Sequence, residues 1–187
     1  MTFQSLEYAV LLIAVFTGYW FVTRRLQNLL LLVASYLFYS FIDPKMAILL
    51  GAYTAVNYIA ARRIESDRNN SRKYLWIAIT ASLGALAFFK YAGFFVESIS
   101  DVLDTIGIAN FESTLNIILP VGISFYTFQS LGYVIDVYTN RTFARRSLID
   151  TALFISFFPQ LVAGPIERAS ALLPQFERRR SFDANRT

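Results

Sequence analysis

The stretch Leu119–Tyr138 reads LPVGISFYTFQSLGYVIDVY. It is long and apolar enough to cross a bilayer, whose hydrocarbon core of roughly 30 Å asks for about 20 residues of helix. Yet it carries Ser124, Thr127, Gln129, Ser130 and Asp136. At about 100° per residue, Gly122, Tyr126, Gln129, Tyr133 and Asp136 fall within an arc of roughly 80°, whereas Ser124 and Thr127 point elsewhere. An unpartnered amide moved from water into oil costs on the order of 2 to 7 kcal/mol, so this stripe is expected to turn towards other helices or a wet channel and away from lipid. The amide and phenols either tie helices together, at roughly 0.6 to 2 kcal/mol per bond, or line a polar cavity. The hydroxyls of Ser124, Thr127 and Ser130 can bond back to their own helix. Asp136 lies within one turn of the end of the stretch, near Arg141 and the headgroups.

The rest of the chain has the same character. Of 187 residues, 56% are hydrophobic and 16% charged, and the mean hydropathy is +0.46. Soluble domains rarely reach that balance, so the chain reads as an all-α, polytopic transmembrane protein, a single domain over residues 1–187. There is no Cys, which excludes disulfides and thiolate metal sites, and no His, which removes the commonest general base and metal ligand. No metal site is expected. A net charge of +4 would point to nucleic acid in a soluble protein. Here the Lys and Arg residues cluster at the ends of apolar runs, where orientation signals sit, and nucleic acid is discounted.

Five spans are expected. Leu6–Val22 is followed by Arg24 and Arg25, lacks the charge order of a cleaved signal, and reads as a retained helix. Leu26–Ile42 is the second span. Asp43-Pro44 supplies an N-cap oxygen and a first-turn proline, so a third helix starts there and continues to Ala61. Arg62–Lys73, with five basic residues, reads as a polar loop. Tyr74–Phe89, with Lys90 snorkelling, is the fourth span, and the stretch from Leu119 is the fifth. Arg24, Arg25 and the 62–73 loop fall on one side and the Asp43–Lys45 turn on the other, which places the N-terminus outside. Phe95, Ile99, Val102, Leu103 and Ile106 recur at helical spacing opposite Glu97, Ser98, Asp101, Asp104 and Thr105. That pattern fits an amphipathic helix on the outer surface, or equally a continuation of the fourth helix. Gly51, Gly84 and nearby alanines are read as close-packing positions. Tyr19, Trp20, Tyr74 and Trp76 are read as an aromatic belt.

Leu148–Ala163 is apolar but broken by Pro159 and Gly164-Pro165, with basic residues on both flanks. A segment that leaves and returns to one side predicts a re-entrant hairpin. Such backbone survives at membrane depth only against protein or water. Glu167 and Arg168 follow, free to pair with each other, with lipid phosphate or with an anionic substrate. No catalytic constellation assembles from the residues present: there is no Ser-His pair, metal cluster or phosphate-cradling glycine loop.

Residues 119–138 and 157–176, FFPQLVAGPIERASALLPQF, closely resemble paired signatures of the membrane-bound O-acyltransferase family, in its alginate O-acetylation branch. Residues 31–50 (LLVASYLFYSFIDPKMAILL) and 88–99 (FFKYAGFFVESI) match as well. The resemblance covers the N-terminal portion of that family. It implies a bacterial inner-membrane protein that transfers an acetyl or other acyl group to hydroxyls of an exported polysaccharide such as alginate. The implied acyl donor is acetyl-CoA or similar, with no bound cofactor. The implied partners are membrane lipids and the exported polysaccharide or an extracytoplasmic acyl-transfer protein. The helices of the family enclose a tunnel, and by resemblance Tyr126, Gln129, Tyr133, Asp136, Pro159, Gln160, Gly164, Pro165, Glu167 and Arg168 line it. The family's catalytic centre rests on a histidine in a later helix. This chain has none, so it is expected to hold no catalytic residue, to be part of a longer protein and to be inactive alone. The alternative is a non-enzymatic scaffold or half-transporter that works as an oligomer.

Overall fold

The computed structural model describes residues 6–105, 119–161 and 164–178. Every regular element among them is helical: α1 (Leu6–Tyr19), α2 (Arg24–Ile42), α3 (Pro44–Ser66), a 3₁₀ turn (Arg68–Asn70), α4 (Ser71–Thr105), α5 (Ile123–Tyr138), α6 (Leu148–Ser156), a single turn α7 (Phe158–Leu161) and α8 (Ala169–Glu177). Helices stand where all five spans are expected. By length and composition, residues 68–100 form the one described helical run long and apolar enough to cross a membrane.

Local chemistry sets the boundaries. Between α2 and α3 only Asp43 leaves the helical conformation, and its carboxylate accepts from the Lys45 N–H at 2.8 Å with Pro44 beside it. The loop expected at 62–73 is mostly helix instead. Arg62, Arg63 and Glu65 are good helix formers, Arg62 pairs with Glu65 at 3.7 Å, and α3 therefore continues to Ser66. The turn is then confined to Asp67 and the three residues after it. Asp67 accepts from Asn70 N–H at 3.3 Å and from Asn70 Nδ2 at 2.9 Å. Residues 95–105 are not a separate surface helix; they are the last turns of α4, because nothing between Lys90 and Thr105 breaks the helix. Ile106 lies outside the described residues. The expected fifth span is helical only from Ile123, since Pro120 closes a turn onto the Ile123 N–H and Gly122 takes a left-handed φ of 75°.

Helix α3 is central, packed on α2, α4, α5 and α6. The core is aromatic, with Phe38, Tyr39, Tyr126, Tyr133, Phe154 and Phe158 fully buried. Helices α3 and α4 are tied by Asn57, which donates to Ser82 Oγ at 3.1 Å, and Ala60 and Ala61 of α3 and Ala78 of α4 are buried. Gly84 does not serve there: a methyl group on it would meet nothing within 4 Å. The reason is that Gly84 lies on the exposed side of α4.

One end of the bundle gathers the basic residues. Arg68 donates to Val137 O at 3.3 Å, fastening the α3–α4 corner to the end of α5. Tyr58 donates to Arg146 O at 2.8 Å, holding the α5–α6 loop on α3. Arg145 pairs with Glu177 at 3.2 Å, and Arg24 donates to the Glu177 carbonyl. The start of α6 and the end of α8 meet at this same end on one side chain: Asn28 of α2 donates to Asp150 Oδ1 at 2.7 Å and to Phe176 O at 3.0 Å. Between them α7 reaches inward, where the Phe158 N–H donates to Ser35 Oγ at 3.2 Å and its ring packs on Phe38 and Tyr8.

Candidate functional site along helix α5

The polar stripe of α5 is turned inward as its spacing requires. Tyr126 and Tyr133 are 0% exposed, Gln129 1% and Asp136 8%. Thr127 and Ser130, off the stripe, are buried too, and the exposed face of α5 narrows to Phe128, Gly132 and Ile135. The helix is buried on both flanks because α3, α4, α6 and α8 all pack on it. Ser130 bonds within its own helix, to Thr127 O at 3.0 Å.

Each stripe residue meets a different element. The Tyr126 ring lies edge-on to Tyr53 of α3 at 5.0 Å and to Tyr39 of α2 at 6.3 Å. Tyr39 donates to Val121 O at 2.9 Å and Tyr53 to Ser82 O at 2.7 Å, so both of those hydroxyls are engaged. The Tyr126 hydroxyl has no partner among the described residues. Gln129 donates its amide to the Phe154 carbonyl of α6, and its own Oε1 has no partner among the described residues. Tyr133 accepts from the Arg145 N–H at 2.8 Å. Asp136 faces Arg141 at 3.9 Å, and its carbonyl accepts from the Arg141 N–H at 2.8 Å.

The second signature block closes on itself. Gln160 donates to Pro165 O at 2.7 Å, and the Gly164 N–H donates to Gln160 O at 2.9 Å. Gln160 Oε1 and the Ser156 hydroxyl are buried and have no partner among the described residues. Pro159 is half-buried within α7, whereas Pro165, Glu167 and Arg168 are exposed in the extended segment that enters α8. Glu167 and Arg168 form no ion pair with each other. The ten expected residues thus divide into a buried or half-buried set on α5, α7 and its turn, and an exposed set before α8. Sequence reasoning missed Tyr39, Tyr53 and Asn28. The signal was available for Asn28, an amide in an apolar helix; the tyrosines resembled ordinary core. Among the described residues, no group of three or more acidic side chains is arranged to hold a metal.

No family model matches, and no solved structure matches. The probable alginate O-acetylase AlgI of Pseudomonas aeruginosa is 39% identical over 96% of this chain, and that of Azotobacter vinelandii 38% identical over 96%. The chain is homologous to the N-terminal part of the alginate O-acetylases. The peptidoglycan O-acetyltransferase of Helicobacter pylori is 34% identical over 87% of the chain. This chain spans 35% and 36% of the lengths of the first two relatives. The homology to the alginate O-acetylases bears out the resemblance carried by the two signature blocks.

Proposed function

We propose that this chain forms the N-terminal part of an O-acyltransferase that acetylates hydroxyls of an exported polysaccharide. The observation that carries the reading is the buried stripe of α5 with unpaired polar atoms at Tyr126 and Gln129, in a sequence homologous to O-acetylases. An orphaned buried hydroxyl costs about 1 to 3 kcal/mol, and a cavity that holds water or a substrate hydroxyl offsets that cost. In this reading the stripe and the α6–α8 hairpin are walls of one tunnel, and the reacting base lies beyond this portion. The chain crosses the bacterial inner membrane several times with its N-terminus outside. Support comes from the gathering of Arg and Lys at one end and from α4, of whose most apolar window only 6% is buried. The α6–α8 segment enters and leaves at the basic end and is re-entrant.

Orientation is tested by single cysteines, for which the Cys-free chain is a clean background. Lys73→Cys is labelled only from the cytoplasmic side and Lys45→Cys only from outside; the reverse pattern overturns the topology. Activity is tested by joining residues 1–187 to the remaining portion of the Pseudomonas aeruginosa relative and measuring acetyl ester on exported alginate. The joined chain acetylates and the 187-residue chain alone does not. Acetylation by residues 1–187 alone would sink the reading. Tyr126→Phe in the joined chain separates tunnel from mere packing: it removes a hydroxyl with no partner, so stability holds or rises while acetylation falls.

A further inference from the structure

The helix that ends at Ser156 starts again at Phe158. In an unbroken helix the Phe158 N–H would donate to the Phe154 carbonyl four residues back. Phe157, at φ −55° and ψ 102°, leaves the helical conformation and parts the two groups. Pro159 weakens the helix at this place, because it has no N–H for the Ile155 carbonyl and its ring crowds that carbonyl. Neither half of the parted bond is left open. The Phe154 carbonyl accepts from the Gln129 amide of α5, and the Phe158 N–H donates to Ser35 Oγ of α2 at 3.2 Å. Side chains from two other helices stand in for one backbone bond.

The Ser35 hydroxyl suits that place. It gives its proton to Leu31 O at 2.7 Å, one turn back on α2, and its oxygen is then free to accept. Ser35 is 0% exposed and Phe158 1%, so bulk water does not replace a lost partner, and an orphaned buried N–H is costly. Gln129 belongs to the first signature block, whereas Phe158, Pro159 and Gln160 belong to the second. The parted bond therefore lies where the two blocks meet. We propose that Ser35 is a positioning residue for acyl transfer: with Gln129 it holds the break between α6 and α7 open, and so sets where Pro159 and Gln160 stand along the tunnel wall. Ser35 acts through α7. The consequence for chemistry rests on the acyl-transfer reading, while the positioning itself rests on the hydrogen bonds at the break.

Two readouts test it. In the 187-residue chain labelled with ¹⁵N-phenylalanine, hydrogen exchange at the Phe158 amide is followed by NMR in detergent. Ser35→Ala speeds that exchange about tenfold, whereas the Phe154 amide, inside α6, keeps its rate. Ser35→Thr retains the hydroxyl and the slow exchange. Ser40→Ala is the matched control on the same helix: its hydroxyl bonds back to Tyr36 O at 2.8 Å, and its loss leaves Phe158 unchanged. In the chain joined to the remaining portion of the Pseudomonas aeruginosa relative, acetyl ester on exported alginate is measured per amount of folded protein. Ser35→Ala lowers it by about tenfold to a hundredfold, Ser35→Thr restores it, and Ser40→Ala leaves it unaltered. Unchanged exchange at Phe158, or full acetylation by Ser35→Ala beside an active unaltered chain, overturns the proposal. So does equal acceleration at Phe154 and Phe158, which marks a general loss of stability. An unaltered joined chain that does not acetylate is instead the failure of the acyl-transfer reading, and the positioning role falls with it.

Discussion

Gly164 has no room for a side chain. A Cβ there would stand 2.6 Å from Gln160 Cγ, 2.9 Å from Gln160 Cα and 3.0 Å from Gln160 O, and two of those atoms are backbone. Gly164→Ala is expected to open the turn that Gln160 closes on Pro165, at a cost of about 1 to 3 kcal/mol typical of overpacking. Gly84→Ala makes the contrast: with open space around it, the methyl removes unfolded-state freedom and raises stability by roughly 0.5 to 1 kcal/mol. Thermal unfolding in detergent compares the two, and equal effects would contradict the geometry. At Gln129 the expected change is larger in consequence. Gln129→Leu strands the buried Phe154 carbonyl and costs about 1 to 3 kcal/mol, measured by the same unfolding. Tyr126→Phe strands nothing, so the pair distinguishes a structural tie from a group left open towards a cavity.

Asp43 and Asp67 show how single carboxylates divide long helices into elements. Asp67 ends α3, caps the 3₁₀ turn and accepts from Tyr74 of α4 at 3.4 Å. The Asn70 side chain first, then backbone N–H groups and Tyr74, hold its carboxyl below the ordinary value of 3.8. A depressed folded value means that the folded chain binds fewer protons than the unfolded one. Its stabilising contribution is therefore complete above about pH 4 and is lost as pH falls through the lower folded value. Unfolding midpoints measured from about pH 5 to pH 2 should fall for the unaltered chain, with a shallower fall for Asp67→Asn. Asn28 does the same work for the hairpin, binding the start of α6 and the end of α8 together. Asn28→Ala is expected to destabilise by about 1 to 3 kcal/mol and to speed amide hydrogen exchange in α8 before α3; uniform exchange would show that the two helices are held elsewhere.

At the scale of the whole molecule, polar side chains sit within the aromatic core while large apolar side chains stand outside: Gln129, Ser130 and Asn57 are buried and Phe94, Phe95 and Ile13 are exposed. The chain's own periodicity determined much of this. The inward stripe of α5, the Asp43-Pro44 start of α3 and the basic cluster were all legible, because capping chemistry and the 3.6-residue repeat act over a few neighbours. The helical state of residues 62–66 was not, and the continuation of α4 through residues 95–105 was left as one of two equal readings, because polarity alone does not distinguish a loop or a separate helix from a helix that runs past its apolar segment. Tertiary structure alone decided which polar atoms are spent and which are left over. Gln129 and Phe154 lie 25 residues apart, Asn28 and Phe176 148, and no local pattern fixes whether such groups meet. Sequence set which faces turn inward; packing of α2, α3, α5 and α6 chose the partners there, since a hydrogen bond in a dry interior depends on distance and direction that only the assembled helices supply.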